Sequence, residues 1–297
     1  MNILITGASG FLGSALALRF AEMDYQVSLL VKKNTNFSRL QDLSPFKIGR
    51  CATDLEINQF ISDMQPDVVI HTAGSYGRKG ESLVQVFDSN IRFGAVILDA
   101  IIRIKKKVSF LNTDSGLSRD VSLYALTKTH FKGLAGYISA SSERNIQFIN
   151  IILQHMYGPG DDISKFTEYV LDACKSNTPT LPLTFGEQKR DFIYIDDVVD
   201  AYVKILENIP KLTRNEEIEL GSGVPTRLRD FVEIAHRLTN SKTQLLFGQL
   251  PYRENEDFYL VANVEFLKKI GWEPKYDLLS GLKMTLEKGV QKDKQKT

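Results

Sequence analysis

Cysteine is nearly absent: Cys51 and Cys174 are the only two in 297 residues. Two thiols make neither a disulfide framework nor a four-ligand zinc pattern, so a reducing compartment is the simpler setting and both read as buried spectators. Histidine is scarce too, with four in the chain. His71, His130 and His236 show no ligand spacing with one another or with the cysteines, so no metal is expected. Charge of one sign is also lacking. A quarter of the residues are charged, yet the formal net charge is +1, which gives nucleic acid or an anionic membrane no electrostatic hold, while a small anionic ligand stays open. No apolar run is long enough to span a bilayer, and Met1-Asn2-Ile3-Leu4-Ile5 has no basic stretch followed by a long apolar one. The expectation is a soluble cytoplasmic protein.

What the sequence does have is alternation of short apolar runs with helix-length segments. Ile3 to Ile5 reads as a strand, and Phe11 to Met23 carries apolar residues at helical spacing. Further strands are read at Gln26 to Val31, Asp67 to His71, Val108 to Asn112 and Phe148 to Leu153. That order predicts an α/β fold with a doubly wound parallel sheet of the Rossmann type. After about Gln154 the texture changes, with Pro159, Pro179 and Pro182 interrupting the chain. The expected division is a dinucleotide-binding domain over 1–153 and a smaller substrate-binding lobe over 154–297. Segments near 191–220, such as Phe192 to Ile195 and Ile218 to Leu220, are expected to return to the first sheet. Gln291 to Thr297 reads as a frayed end and Lys105-Lys106-Lys107 as a solvated helix end.

Between the first strand and first helix stands Thr6-Gly7-Ala8-Ser9-Gly10-Phe11-Leu12-Gly13, a G-x-x-G-x-x-G spacing. Glycines let the backbone turn sharply and approach a pyrophosphate, whose charge meets amide N–H groups and the positive end of the helix. Gly7, Ser9, Gly10, Phe11, Leu12 and Gly13 are therefore candidate cofactor contacts. An NAD site usually ends its second strand on an acid that holds the ribose hydroxyls, whereas this chain reads Val31-Lys32-Lys33. Lys32 and Lys33 can neutralise a 2′-phosphate as point charges. NADP(H) is thus favoured, NAD(H) stays possible, and the bland alternative is a solvated turn. Asp54 and Leu55 are candidates for the adenine pocket.

Tyr124-Ala125-Leu126-Thr127-Lys128 lies in a helix-compatible stretch, and a spacing of four puts Tyr124 and Lys128 on one face. An adjacent ammonium favours the phenolate, so Lys128 is expected to lower the pKa of Tyr124. A bare Y-x-x-x-K is weak evidence. It gains weight beside the glycine loop and Thr113, which is read as lying just past the strand Val108 to Asn112.

With these residues the chain resembles the extended short-chain dehydrogenase/reductases, the NAD-dependent epimerase/dehydratase family, over nearly its whole length. Further matching stretches are His71-Thr72-Ala73-Gly74, Asn90, Tyr157-Gly158-Pro159, Arg190-Asp191-Phe192-Ile193-Tyr194-Ile195-Asp196-Asp197 and Gly271-Trp272-Glu273-Pro274. The resemblance implies that Thr113 and Tyr124 bracket the reacting sugar oxygen and that Lys128 also holds the nicotinamide ribose. It makes Ala73, Gly74 and Asn90 cofactor contacts, and Ser75, Tyr76, Gln154 and His155 substrate contacts. Arg190 and Arg253 fall where family arginines grip the diphosphate of a nucleotide sugar, a task suited to a planar fork of donors. A homodimer formed through the Tyr124 helix and the one before it is likewise implied.

Within the family, Phe110-Leu111-Asn112-Thr113-Asp114-Ser115 and Gly186-Glu187-Gln188-Lys189-Arg190-Asp191-Phe192 are most similar to the CDP-abequose and CDP-paratose synthases and the dTDP-4-keto-6-deoxyglucose reductases, which reduce a C4 ketone. The 4,6-dehydratases carry Thr-Asp-Glu where this chain has Thr113-Asp114-Ser115, and the missing glutamate would have taken the C5 proton. A C4 epimerase retains an NAD commonly held by the acid that is absent here, which ranks that activity second. A non-catalytic NADP(H)-sensing protein is a third reading, disfavoured because Tyr124 and Lys128 both persist. The segment from Thr113 to Tyr124 is short, suggesting a trimmed loop beside the sugar. Replacing Lys32→Asp is expected to weaken NADPH binding much more than NADH binding in fluorescence titrations, and equal losses would reject the 2′-phosphate reading.

Overall fold

Strands that are apolar on both faces must be covered on both faces, which makes a parallel sheet with helices on either side the economical burial. The computed structural model describes residues 1–141 and 145–294. Its first half runs β1 (Asn2–Thr6), α1 (Phe11–Glu22), β2 (Gln26–Lys32), β3 (Phe46–Cys51), α2 (Asp54–Met64) and β4 (Val68–His71). It continues with α3 (Leu83–Phe87), a π-helical turn (Asp88–Arg92), α4 (Phe93–Ile102), β5 (Val108–Ser115), α5 (Leu123–Ala140) and β6 (Ile146–Leu153). The second half runs β7 (His155–Tyr157), α6 (Phe166–Lys175), β8 (Thr180–Leu183), β9 (Lys189–Tyr194), α7 (Ile195–Asn208) and β10 (Asn215–Leu220). There follow β11 (Pro225–Arg227), α8 (Leu228–Leu238), β12 (Gln244–Phe247), β13 (Tyr259–Leu260), α9 (Glu265–Lys269) and α10 (Leu278–Lys294).

Seven strands form the main sheet in the order β10-β6-β5-β4-β1-β2-β3. β1 pairs in parallel with both β2 and β4, so strand order reverses at β1 and opens a crevice at the carboxyl ends, where α/β sheets bind ligands. The α/β Rossmann expectation thus holds. The core on one face joins Leu4, Val69, Val108, Phe110 and Phe148 of the strands to Ile97, Leu98, Ile101, Phe131 and Ala135 of α4 and α5. Gly94 permits that helix contact, since a Cβ there would lie 2.4 Å from the Phe131 ring. Local signals set the helix starts. Thr53 and Glu56 form a reciprocal capping box on α2, and Ser122 accepts from the Ala125 amide at 3.2 Å to start α5.

The chain divides into two compact units, Met1–Ile152 with Tyr202–Ile218, and Leu153–Ala201 with the chain from Glu219 onward. β10 joins the main sheet as expected. The other expected return does not occur: β9, which contains Phe192–Tyr194, pairs with β7, β11 and β13 in a separate sheet, because an apolar run has no preference between sheets until register partners exist. Within this unit the buried Asp191 carboxylate accepts from the amides of Ser222, Gly223 and Ala262 and from the Ser222 hydroxyl.

Several local readings need correction. β3 was not evident in the sequence, since only Phe46 and Gly49 of Phe-Lys-Ile-Gly-Arg-Cys are fully buried at this sheet edge. Cys174 is buried as expected, but Cys51 on β3 is half-buried. The lysines after α4 are not simply solvated, because Lys106 Nζ bonds Asp67 Oδ1 at 2.9 Å. The helix α10 runs to Lys294 through most of the expected frayed end, and residues 295–297 lie outside the described residues.

His71 closes β4 inside the core, its ring against Phe93, Phe110 and Phe131 and its Nδ1 2.8 Å from Thr6 Oγ1. Burial, followed by the charge of Lys128, lowers its pKa from 6.5 to about 3. The folded value lies below the unfolded one, so this stability is complete above pH 6.5 and is lost as pH falls toward 3. Urea unfolding between pH 6.5 and 4 should show a slope of up to about 1.4 kcal/mol per pH unit from this group, and His71→Gln should flatten it.

Candidate active site

The glycine loop is held by absence of side chains. Gly7 has φ +68°, and a Cβ there would meet the Ala73 amide nitrogen and Thr72 Oγ1, each at 2.7 Å. At Gly13 a Cβ would fall 2.3 Å from the Gly7 carbonyl oxygen. The loop closes through Gly10 N to Gly7 O at 2.8 Å, and Ser14 N to Gly10 O begins α1 at 3.0 Å. Thr72 Oγ1 donates to Thr6 O at 2.8 Å and ties the ends of β1 and β4 together. A backbone cradle of this kind at a helix start fits the pyrophosphate of a dinucleotide, and the close packing of Gly7 and Gly13 on their neighbours leaves no room for a Cβ. Lys32 and Lys33 are both exposed where β2 ends. Arg50 fixes the backbone beyond them, donating to the carbonyls of Lys33 and Thr35. Asp54 begins α2 and pairs with Arg92 at 2.5 Å, while Leu55 is exposed.

Asn90 organises the region between that cradle and α5. It sits in the π-helical turn, a distortion frequent at functional sites. Its Oδ1 accepts from Ser75 N at 2.6 Å, and its Nδ2 donates to Ser75 O and to Thr127 Oγ1 at 2.9 and 2.8 Å. The loop after β4 is thereby clamped to α5 one residue from Lys128. Gly74 lies beside both parts: a Cβ there would be 3.4 Å from Asn90 Oδ1 and 3.9 Å from the Tyr124 ring. The Tyr76 ring packs tilted against Tyr124 with centroids 4.5 Å apart, and the Arg78 guanidinium covers the Tyr76 ring at 5.3 Å. The Ser75 hydroxyl donates to Glu81 at 2.7 Å.

Thr113 lies inside β5 rather than past its end, since the strand extends to Ser115. Its Oγ1 is 2.6 Å from the hydroxyl of Tyr202 on α7. The neighbouring residues of β5 are joined to β6: Asn112 donates to Asn150 at 2.7 Å, and Asn150 donates to Asp114 at 2.9 Å. Tyr202 and Asn150 were not singled out in the sequence, and neither carries a local signal there, because each acquires its role from a partner at least 36 positions away.

The electrostatics correct one expectation. Burial, followed by the influence of Tyr76 and Asp114, holds the Tyr124 phenol well above its ordinary pKa of 10. Desolvation disfavours the phenolate, so the expected lowering by Lys128 does not prevail. Burial brings the Lys128 ammonium down to about 8, with the Asp114 charge opposing.

The remaining expected residues belong to the second unit. Arg190 is buried on β9, donating to Lys189 O at 2.9 Å and pairing with Glu256. Burial lowers its pKa, Glu256 and Asp257 oppose that, and Arg253 adds to it, so the two arginines lie within electrostatic reach. Arg253 itself is exposed. The His155 ring packs edge-on to Phe192 at 5.8 Å. Gln154 fixes its backbone to Leu220 O at 2.9 Å, and its side-chain carbonyl is buried with no partner among the described residues. No grouping of three His, Cys, Asp or Glu able to hold a metal occurs among the described residues.

The chain has counterparts among known proteins. Residues 3–221 match the NAD dependent epimerase/dehydratase family. The chain belongs to that family. CDP-abequose synthase of Salmonella typhimurium is 32% identical over 299 residues, spanning 96% of this chain and 97% of the relative. CDP-abequose synthase of Yersinia pseudotuberculosis is 26% identical, spanning 86% and 90%. Among solved structures, UDP-glucuronic acid 4-epimerase from Bacillus cereus with UDP-glucuronic acid and NAD superposes with a TM-score of 0.84 at 21% identity, covering 98% of this chain and 99% of its own. UDP-glucose 4-epimerase from Thermotoga maritima gives 0.84 at 21%, covering 99% of each. These two share the fold.

Gly7→Ala should disturb the cradle twice, through left-handed backbone strain of about 1–2 kcal/mol and through collision with Thr72 and Ala73. A lowered melting temperature together with loss of dinucleotide-induced stabilisation is expected. An unchanged thermal shift with NADPH would show that the loop is not the pyrophosphate cradle.

Proposed function

We infer that the protein is a nucleotide-sugar-modifying oxidoreductase that uses NADPH to reduce the C4 ketone of a CDP- or dTDP-linked 4-keto-deoxysugar, in deoxysugar and O-antigen biosynthesis. The observation that carries this reading is the placement of the half-buried Tyr124 one helical turn before the buried Lys128 on α5. Reduction of a ketone needs a group that gives a proton to the developing alkoxide, and an un-ionised phenol is that group. Similarity to the CDP-abequose synthases over nearly the full chain supports the same substrate class.

NADPH supplies the hydride when bound. Gly7, Ser9, Gly10, Phe11, Leu12 and Gly13 would receive its pyrophosphate, and Lys32 and Lys33 its 2′-phosphate. NADH is the lesser cofactor, because no carboxylate follows β2 to hold the ribose hydroxyls. Asp54, Leu55, Ala73, Gly74 and Asn90 line the remainder of the cofactor's path. Tyr124 protonates the carbonyl oxygen, Thr113 donates a second hydrogen bond to the same atom, and Lys128 holds the nicotinamide ribose while its charge stabilises the phenolate left behind. Ser75 and Tyr76 contact the sugar, and Gln154, His155, Arg190 and Arg253 the nucleotide end. For Arg190 this means exchanging Glu256 for a diphosphate, a swap of one anionic partner for another. We also infer a homodimer acting in the cytoplasm. Exposed Leu134 and Tyr137 on α5 offer apolar surface for the contact, and no described helix is long and apolar enough to cross a membrane.

Oxidation of NADPH by the purified protein, followed at its absorbance maximum with CDP- and dTDP-linked 4-keto-6-deoxysugars and an NADH control, tests the reading. Rapid oxidation with one of them is expected. Tyr124→Phe should abolish turnover while NADPH binding largely survives, and Lys128→Met should damage both. Near-full activity in Tyr124→Phe would remove Tyr124 as the acid. No oxidation at all, with tightly held NAD released on denaturation, would favour a C4 epimerase instead.

A further inference from the structure

Tyr202 lies on α7, 89 positions from Thr113, with its side chain fully buried and its hydroxyl 2.6 Å from Thr113 Oγ1. Distance alone does not say which oxygen donates. The surroundings do. Among the described residues, Thr113 Oγ1 is the single hydrogen-bonding partner of the Tyr202 phenol. A buried phenol that keeps its proton must place it on an acceptor, and here there is one. Burial raises the Tyr202 pKa, so the proton stays on the phenol across the working pH range.

Thr113 has one proton and two lone pairs. When Tyr202 fills one lone pair, the threonine proton cannot point back at Tyr202, and it is left for another acceptor. Alternation along β5 keeps this arrangement separate from the Asn112–Asn150–Asp114 chain. Asn112 and Asp114 share one strand face and bond to β6, whereas Thr113, between them, bonds to a helix.

We propose that Tyr202 is a positioning residue: it donates to Thr113 Oγ1, turns the threonine O–H toward the reacting sugar oxygen, and strengthens it as a donor. No covalent bond changes at Tyr202. The effect is that of a hydrogen-bond chain in a low-dielectric setting, in which each donor polarises the next. The proposal rests on the reductase reading, in which Thr113 touches the substrate oxygen.

The test is a double-mutant cycle on ketosugar-dependent NADPH oxidation with Tyr202→Phe, Thr113→Val and the double variant. Phe keeps the ring that fills the core, so folding is preserved, and a urea unfolding curve on each variant corrects the rates for folded protein. Expected is a roughly tenfold fall in kcat for Tyr202→Phe, with KM for the nucleotide sugar and the NADPH Kd changed less than about twofold. The double variant should be no slower than Thr113→Val alone, because the phenol acts only through the threonine. A merely structural Tyr202 would lower the urea midpoint and leave kcat per folded molecule intact, and that result, or additive losses in the cycle, overturns the proposal. Failure of the wild-type protein to reduce any of the ketosugars would instead overturn the reductase reading, and this role with it, so the two failures are told apart by the wild-type measurement.

Discussion

Everything at the carboxyl end of the sheet depends on how closely the glycine loop approaches the end of β4. Atoms that a Cβ at Gly7 or Gly13 would strike are backbone, or the Thr72 hydroxyl, which is itself committed to Thr6 O. Such neighbours cannot swing aside as the tip of a long side chain can. The approach therefore requires glycine, and it sets where the first amides of α1 point. It also fixes the start of the loop that carries Ala73, Gly74, Ser75 and Tyr76. Cradle and loop are thus one packed object.

Asn90 extends that constraint to α5. One amide side chain satisfies both the N–H and the C=O of Ser75 and reaches Thr127 on α5, so an irregular loop is locked to the helix bearing Tyr124 and Lys128. A buried amide with several partners is rigid, because releasing any one leaves a polar group unsatisfied. The same burial sets the chemistry. A phenol held above its ordinary range and an ammonium held down to about 8 are both shifted toward their neutral forms, as desolvation demands. In this balance the charge of Asp114 works against the loss of the Lys128 proton, which links the polar chain across β5 and β6 to the state of the helix residues.

The second unit solves a different problem. Its central strand β9 places a guanidinium and a carboxylate side by side in the buried interior, at Arg190 and Asp191. Asp191 is satisfied by main-chain amides and a serine hydroxyl, which makes it part of the frame. Arg190 is satisfied chiefly by another side chain, Glu256, on a segment between β12 and β13. A partner supplied by a side chain can be exchanged for a ligand anion far more readily than four bonds supplied by the frame. Adjacent residues of one motif are therefore held in unlike ways.

The sequence by itself determined the α/β class, the glycine loop at the first strand–helix junction, and the placing of Tyr124 and Lys128 four apart on one helix. These rest on local spacing: glycines three apart, a helix repeat of four, and apolar runs too continuous for a half-exposed strand. Capping at Thr53 and Ser122 was equally local. Only the tertiary structure decided which sheet Phe192–Tyr194 would join, that a mixed segment such as Phe46–Cys51 would become the edge strand β3, and that Thr113 would sit within its strand. It also decided the direction in which the Tyr124 pKa moves, where the sequence neighbour Lys128 suggested a lowered value and desolvation produced a raised one. The physical reason is common to all of these. Register, desolvation and hydrogen-bond partners such as Tyr202 for Thr113 or Asn150 for Asp114 belong to pairs of residues far apart in the chain, and no local spacing encodes them.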